Sequence, residues 1–423
     1  MRYLFIILIT LTFWSCKKED GTPPSIFFTN NFSSTYNYGN SISFNIEASD
    51  NENLESITIK IYNLNNQPVL TPITLHPGTN SFQYEGQIAI DDIHLNSGQY
   101  YIQATASDGH NEAIQLKSFQ INEAPKELIQ IIGMNQNGGN SLNFFKLENS
   151  NWTSLYSLPL ENFYCQFDNY DQRLLLAGNT TDGMSSVRLE DGAITGSSAT
   201  PFSNSNSIWN DATWHPSSRV YWTACKDGSI RAYNSQAQTV NQFQIIGNDI
   251  PKQITVTDNF VIVYNTNLSN SQHRLDVYHK ASGNIVHSTT LAVAVQQMEA
   301  LSEDEIWIYQ EGEEYKQNVY RIQGNYIDEW TNFRFTPAVN LNYSYISDAK
   351  LFLNFEDALR IYNLNGILIS TGSSYPVTQL AHEVISNQLF VITNAEIKIL
   401  NASTLLEINT LSHSDKVVFQ YNK

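Results

Sequence analysis

The sequence predicts an all-β chain in two parts, a strand-rich segment over residues 22–122 and a repeat array over residues 125–423. Three observations predict it. Apolar and polar residues alternate with period two through most of the first part, as strands with one buried face require. A strand–turn–strand unit recurs along the second part at a spacing of 38 to 45 residues. The composition also suits pleated surfaces: 12% of the residues are aromatic, with 23 Tyr and 21 Phe, and the strong helix formers are sparse. At 41% hydrophobic and 15% charged, the 423 residues contain enough apolar material for sizeable cores. The formal net charge of −18, from 23 basic and 41 acidic residues, would repel a phosphate backbone and excludes nucleic acid as a partner.

In the first part the strand runs are Ser25–Asn30, Ser41–Ala48, Leu54–Tyr62, Ser81–Ile90, Gln99–Ser107 and Ala113–Ile121. Ile42, Phe44, Ile46 and Ala48 fall on one face of the second run, and Ile57, Ile59 and Ile61 on one face of the third. Six or seven strands in about one hundred residues make an immunoglobulin-like β-sandwich. The acids and amides Asp50, Asn51, Glu52 and Asp108 then lie near one end and are weak calcium candidates. The alternative is that they cap turns, as Asp and Asn commonly do.

In the second part the recurring anchors are Leu147, Leu189, Tyr233, Tyr278, Ile322, Tyr362 and Leu400. Seven copies at this spacing match the four-stranded blades of a seven-bladed β-propeller. Asp227-Gly228 and Asn365-Gly366 are tight-hairpin signals. The first copy lacks an inner strand, and Lys416–Tyr421 is left over after the seventh. That run is expected to return to the first copy and cover its open edge.

The N-terminal residues carry a second kind of signal. Arg2 precedes a short apolar run, Tyr3 to Trp14, too short to cross a bilayer, and then comes Ser15-Cys16-Lys17-Lys18-Glu19-Asp20. This resembles the signal peptide, residues 1–15, and lipidation site of a bacterial lipoprotein, with Cys16 acylated and residues 16–24 as tether. Lys18-Glu19-Asp20 resembles the surface-export signal of Bacteroidetes lipoproteins. The resemblance implies a lipid anchor in the outer membrane with the protein at the cell surface. The other reading of this segment is an ordinary secretory signal. Farther along, Gly98 to Gly109 resembles the penultimate strand and turn of immunoglobulin-like domains of bacterial surface proteins. Trp214-His215-Pro216 with Asp227-Gly228-Ser229-Ile230-Arg231 resembles a WD40 or YVTN-type propeller repeat, without the Trp-Asp dipeptide of the former.

Catalytic motifs are missing: the sequence has no G-x-S-x-G elbow, P-loop or G-x-G-x-x-G, and Cys165 and Cys225 lie outside zinc-ligand spacing. A polar residue recurs near the start of each expected inner strand: Gln166, Asp211, Gln253, Gln297, Asn340 and Gln379. Such a ring, with Trp209 on the same rim, offers donors, acceptors and a stacking face at a channel mouth. The other reading is that these side chains bond neighbouring blades. The expectation is therefore a non-enzymatic binding or scaffold module that engages a protein partner or a glycan through its rim, with no cofactor unless calcium binds. The alternative is a propeller-type polysaccharide hydrolase or lyase.

Overall fold

The computed structural model describes residues 21–137, 141–160, 164–178, 183–199, 209–245, 247–310, 316–329 and 340–423. Cys16 and the rest of the N-terminal signal lie outside them. The described residues are all-β, with no helix. The chain divides into two compact units, Met1–Pro125 and Lys126–Lys423.

The first unit holds two sheets. One orders its strands Ser25–Phe28, Ser41–Ser49 and Ser81–Ala89. The other runs Thr35–Asn37, Glu112–Asn122, Gly98–Ser107, Ser56–Asn63, Ile73–Leu75, with the outermost Thr35–Asn37 paired in parallel. One core joins them. The alternating Ile42, Phe44, Ile46 and Ala48 meet Ile57, Ile59 and Ile61 and the inward residues Ile102, Ala104 and Ala106.

The second unit holds seven four-stranded sheets, each with its strands hydrogen-bonded in sequence order except the first. In the second sheet these are Tyr164–Asp168, Arg173–Ala177, Met184–Arg188 and Ile194–Ser198. The lead strands of the third to seventh sheets are Trp209–His215, Asp249–Val256, Val295–Ala300, Leu341–Ser347 and Val377–Glu383. The first sheet takes its lead strand from the far end of the chain. Lys416–Tyr421 pairs antiparallel with Leu128–Asn137, beyond which lie Ser141–Glu148 and Asn151–Leu158. The repeat anchors fall on or just after the third strand in sequence of the second to seventh sheets.

Burial explains the composition of each strand. The second strands, such as Val220–Cys225, Lys350–Phe355 and Gln388–Thr393, are buried after their first residue on both faces. The outer strands, such as Thr239–Gln244, expose alternate residues. The cores lie between adjacent sheets: Trp222, Ala224, Ile230 and Ala232 pack against Ile254, Val261, Val263 and Tyr278. Gly228 and Gly366 take φ of 80° and 79° in their hairpins, a conformation that disfavours any residue with a Cβ.

The structure corrects the family resemblances. It shows nine separate sheets, and membership in an immunoglobulin-like or WD40/YVTN propeller family does not follow from them. The motifs that carried the resemblance do ordinary turn chemistry. His215 Nδ1 lies 2.7 Å from Ser218 Oγ, and Asp227 Oδ1 accepts the Ser229 amide at 2.9 Å. Asp108, at the end of the Gly98–Ser107 strand, caps the hairpin to Glu112–Asn122 through the amides of His110 and Asn111. These are hairpin solutions that any β chain reaches.

Removing residues 416–423 should strip the first sheet of its lead strand and unfold the second unit. Near-ultraviolet circular dichroism during thermal melting should show no cooperative transition for that unit, whereas a normal melt would show that the strand is dispensable.

Candidate functional site

The lead strands share a local irregularity that sequence alone did not show. In the third to seventh sheets the register slips just before Asp211, Gln253, Gln297, Tyr343 and Gln379. Each slip is a β-bulge, which re-aims the side chains on either side of it. The predicted position in the sixth sheet is therefore off by three residues. Asn340 precedes its strand and donates to Glu356 Oε1 at 3.2 Å, and Tyr343 occupies the matching place.

Most of the predicted rim residues join sheets. Asp211 Oδ2 accepts the Ile254 amide of the fourth sheet at 2.9 Å, and Oδ1 accepts the Ala212 amide at 2.8 Å. Gln253 donates to the Gln296 carbonyl at 2.7 Å, and Gln297 Oε1 lies 3.3 Å from Ser344 Oγ. Gln379 donates to the Val417 carbonyl at 3.1 Å and accepts its amide at 2.8 Å. Trp209 is 1% exposed, and its indole donates to the Gly178 carbonyl at 2.7 Å, so it is a core residue. Trp209→Ala should cost about 3–5 kcal/mol of stability, measured by denaturant melts; an unchanged midpoint would return Trp209 to the surface.

Two carboxyl groups stand among these links, and sequence reasoning found one of them. Burial pushes Asp211 and Glu299 up to about 7, and the nearby Asp211 charge adds to the rise at Glu299. Glu299 accepts the Ser344 hydroxyl at 2.9 Å. Because the folded state favours the proton, their contribution is complete below the ordinary carboxylate values of 3.8 and 4.5. It falls as pH rises through 7. Glu299→Gln keeps an acceptor for Ser344 and removes the ionisation. Its melting temperature should exceed wild type by a few degrees at pH 8 and match it near pH 4, with an equal difference at both values counting against the account.

The concave feature lies toward the opposite ends of the lead strands. A cavity of about 520 Å³ is lined by Cys165, Gln166, Phe167, Asp168, Trp214, Tyr345, Gln379 and His382. Lys126, Tyr170, Arg219, Tyr421 and Lys423 also line it. Gln166 and Gln379 are thus brought together here; Asp211, Gln253, Gln297, Asn340 and Trp209 are not among its lining residues.

Its polar groups have distinct states. Asp168 is 2% exposed; Oδ1 accepts the Tyr170 amide at 3.1 Å, and Oδ2 is buried with no hydrogen-bond partner. Burial raises the Asp168 carboxyl above its ordinary value. The Arg219 guanidinium sits 3.9 Å from the Tyr170 ring centre and pairs with Asp171 at 3.2 Å. The Lys126 amine lies 4.1 Å from the Tyr421 ring centre, and burial lowers its pKa. Burial, and after it the Lys350 charge, lower the His382 pKa from its ordinary value. The only signal for Asp168 and Arg219 in the sequence was their place at the end and in the following turn of lead strands, where no recurring residue type marks them.

Two of the calcium candidates are engaged in local turns. Asp50 Oδ2 accepts the Glu52 amide at 2.8 Å, and Asp108 Oδ2 accepts from Asn111 at 3.0 Å, both within their own turns. Hydrogen bonds from Asn111 hold the Asp108 carboxyl below its ordinary value. No group of three or more His, Cys, Asp or Glu side chains suited to a metal ion occurs among the described residues. The Cys225 thiol is buried and the Cys165 thiol half-buried.

No family model matches the chain, and no curated protein matches it. Solved structures align loosely. A quinoprotein alcohol dehydrogenase-like protein from Bacteroides thetaiotaomicron is 12% identical, with 94% of this chain and 99% of that one covered, at a TM-score of 0.47. A functionally unknown protein from Desulfotomaculum acetoxidans is 11% identical, covering 69% and 98%, at 0.45. The β-propeller domain of a Myceliophthora thermophila protein, Cps50, is 11% identical, covering 60% and 87%, at 0.43. At these scores the alignments carry no family, and the resemblance to an immunoglobulin-like domain followed by a WD40/YVTN-like propeller is withdrawn.

Proposed function

We propose that this chain is a lipid-anchored, non-enzymatic binding module that takes a glycan in the cavity of its second unit. The observation that carries the reading is the cavity itself. Its volume of about 520 Å³ suits one or a few sugar residues. Trp214 and Tyr345 supply aromatic faces for sugar rings, and Gln166, Gln379 and the unpaired Asp168 oxygen supply polar partners. A concavity of this size favours a small polar ligand over the flat face of a protein.

Asp168 is the single acidic side chain among the described residues lining the cavity. Glycosidic hydrolysis ordinarily uses two carboxyl groups flanking the scissile bond. Asp211 and Glu299 do not supply the second one, because both are engaged in joining sheets. This supports binding over catalysis. The anchor rests on Cys16 and the apolar run before it. It would place the module at the outer membrane, facing the cell surface.

The test is a calorimetric titration of the purified chain with a panel of oligosaccharides. Binding is expected in at least one case, with Trp214→Ala weakening it at least tenfold and leaving the thermal melt in place. A panel with no binder, or a Trp214→Ala protein that binds normally, would remove this reading.

A further inference from the structure

We infer that the ligand of this cavity is an acidic saccharide, one whose sugar carries a carboxylate; the inference rests on the glycan reading above. The chain has 23 basic residues against 41 acidic ones, yet three of the 23, Lys126, Arg219 and Lys423, line this cavity, beside one acidic side chain, Asp168. Two of these cations are held over aromatic rings: Arg219 over Tyr170 at 3.9 Å and Lys126 over Tyr421 at 4.1 Å. An aromatic face orients a cation without neutralising it as a carboxylate would. Arg219 also pairs with Asp171, and Glu383 and Asp348 act on Lys126 from nearby. The planar guanidinium retains further donors suited to a carboxylate.

Asp168 completes the specificity. Its Oδ2 is buried without a partner, and a buried acceptor left unpaired is costly. A sugar hydroxyl that donates to this oxygen removes that cost, which an anion without a hydroxyl, such as chloride or sulfate, cannot do. The cavity thus combines cations for a carboxylate with an acceptor for a hydroxyl, and a uronic-acid type of sugar carries both on one ring. Net repulsion from a chain of charge −18 would otherwise discourage any anion, so the charge preference must arise locally.

The experiment titrates the full chain in detergent with oligouronates of several linkages, each paired with its carboxyl-reduced neutral counterpart. The expected result is at least tenfold tighter binding of one acidic oligomer than of its neutral partner, weakening as salt rises from 50 to 300 mM. Arg219→Gln and Lys126→Gln, on separate segments, should each shrink that preference, and Asp168→Asn should weaken both members of the pair. Thermal melts confirm that each variant is folded. Equal affinity for acidic and reduced forms overturns this inference and leaves the glycan reading intact. Binding of neither class overturns both.

Discussion

Side-chain amides that reach the backbone of the neighbouring lead strand are the constraint on which the second unit depends. Asn210 donates to the Pro251 carbonyl at 2.6 Å, Gln296 to the Leu341 carbonyl at 3.1 Å, and Gln172 to the Tyr421 carbonyl at 2.7 Å. Tyr164 donates to the Asn210 carbonyl at 3.0 Å. A lead-strand bulge frees backbone groups from the ladder, and at four of the five an adjoining amide or carboxyl satisfies a counterpart across the gap. Without these partners the bulged strands would leave buried polar groups unpaired. Amides serve here because they donate and accept at once and carry no charge into the interior.

That use of polar residues also explains where a ligand can go. At the bulged end, the side chains that looked available are occupied in joining sheets. Toward the other end the lead strands carry aromatic rings and a buried acid, and the following turns bring in Tyr170 and Arg219. Arg219 sits at φ 51° in its hairpin, as Gln172 at 54° and Asn387 at 53° do in theirs. The turn geometry is shared, so its occupant can vary without disturbing the sheet. Function is free to diverge at that position.

Strand content and sheet strand order were legible because they rest on local patterns. The alternation in Ser41–Ser49 directly reports one buried face, and the anchor spacing reports four strands per sheet. Lys416–Tyr421 was legible as a strand without a local partner. The bulges were not legible, because a one-residue slip leaves no compositional mark; that is why Asn340 was aligned where Tyr343 stands. Glu299 escaped notice because an acid on a strand reads as solvent-facing, and only its neighbours from other sheets show otherwise. The family resemblance failed for a related reason. Asp-Gly turns and Trp-His-Pro corners are convergent answers to hairpin geometry, and they recur without common descent.

The pairing of Lys416–Tyr421 with Leu128–Asn137 brings together residues 280 positions apart, as in the bond from Ser414 Oγ to the Met134 carbonyl. Sheets two to seven can each form from contiguous chain as it emerges, but sheet one waits for the last strand to be delivered. Loop closure over that span costs only modestly more than over a shorter one, so the penalty falls on time rather than on equilibrium. Until the end arrives, the edge of Leu128–Asn137 is bare and competent to pair with another copy of itself.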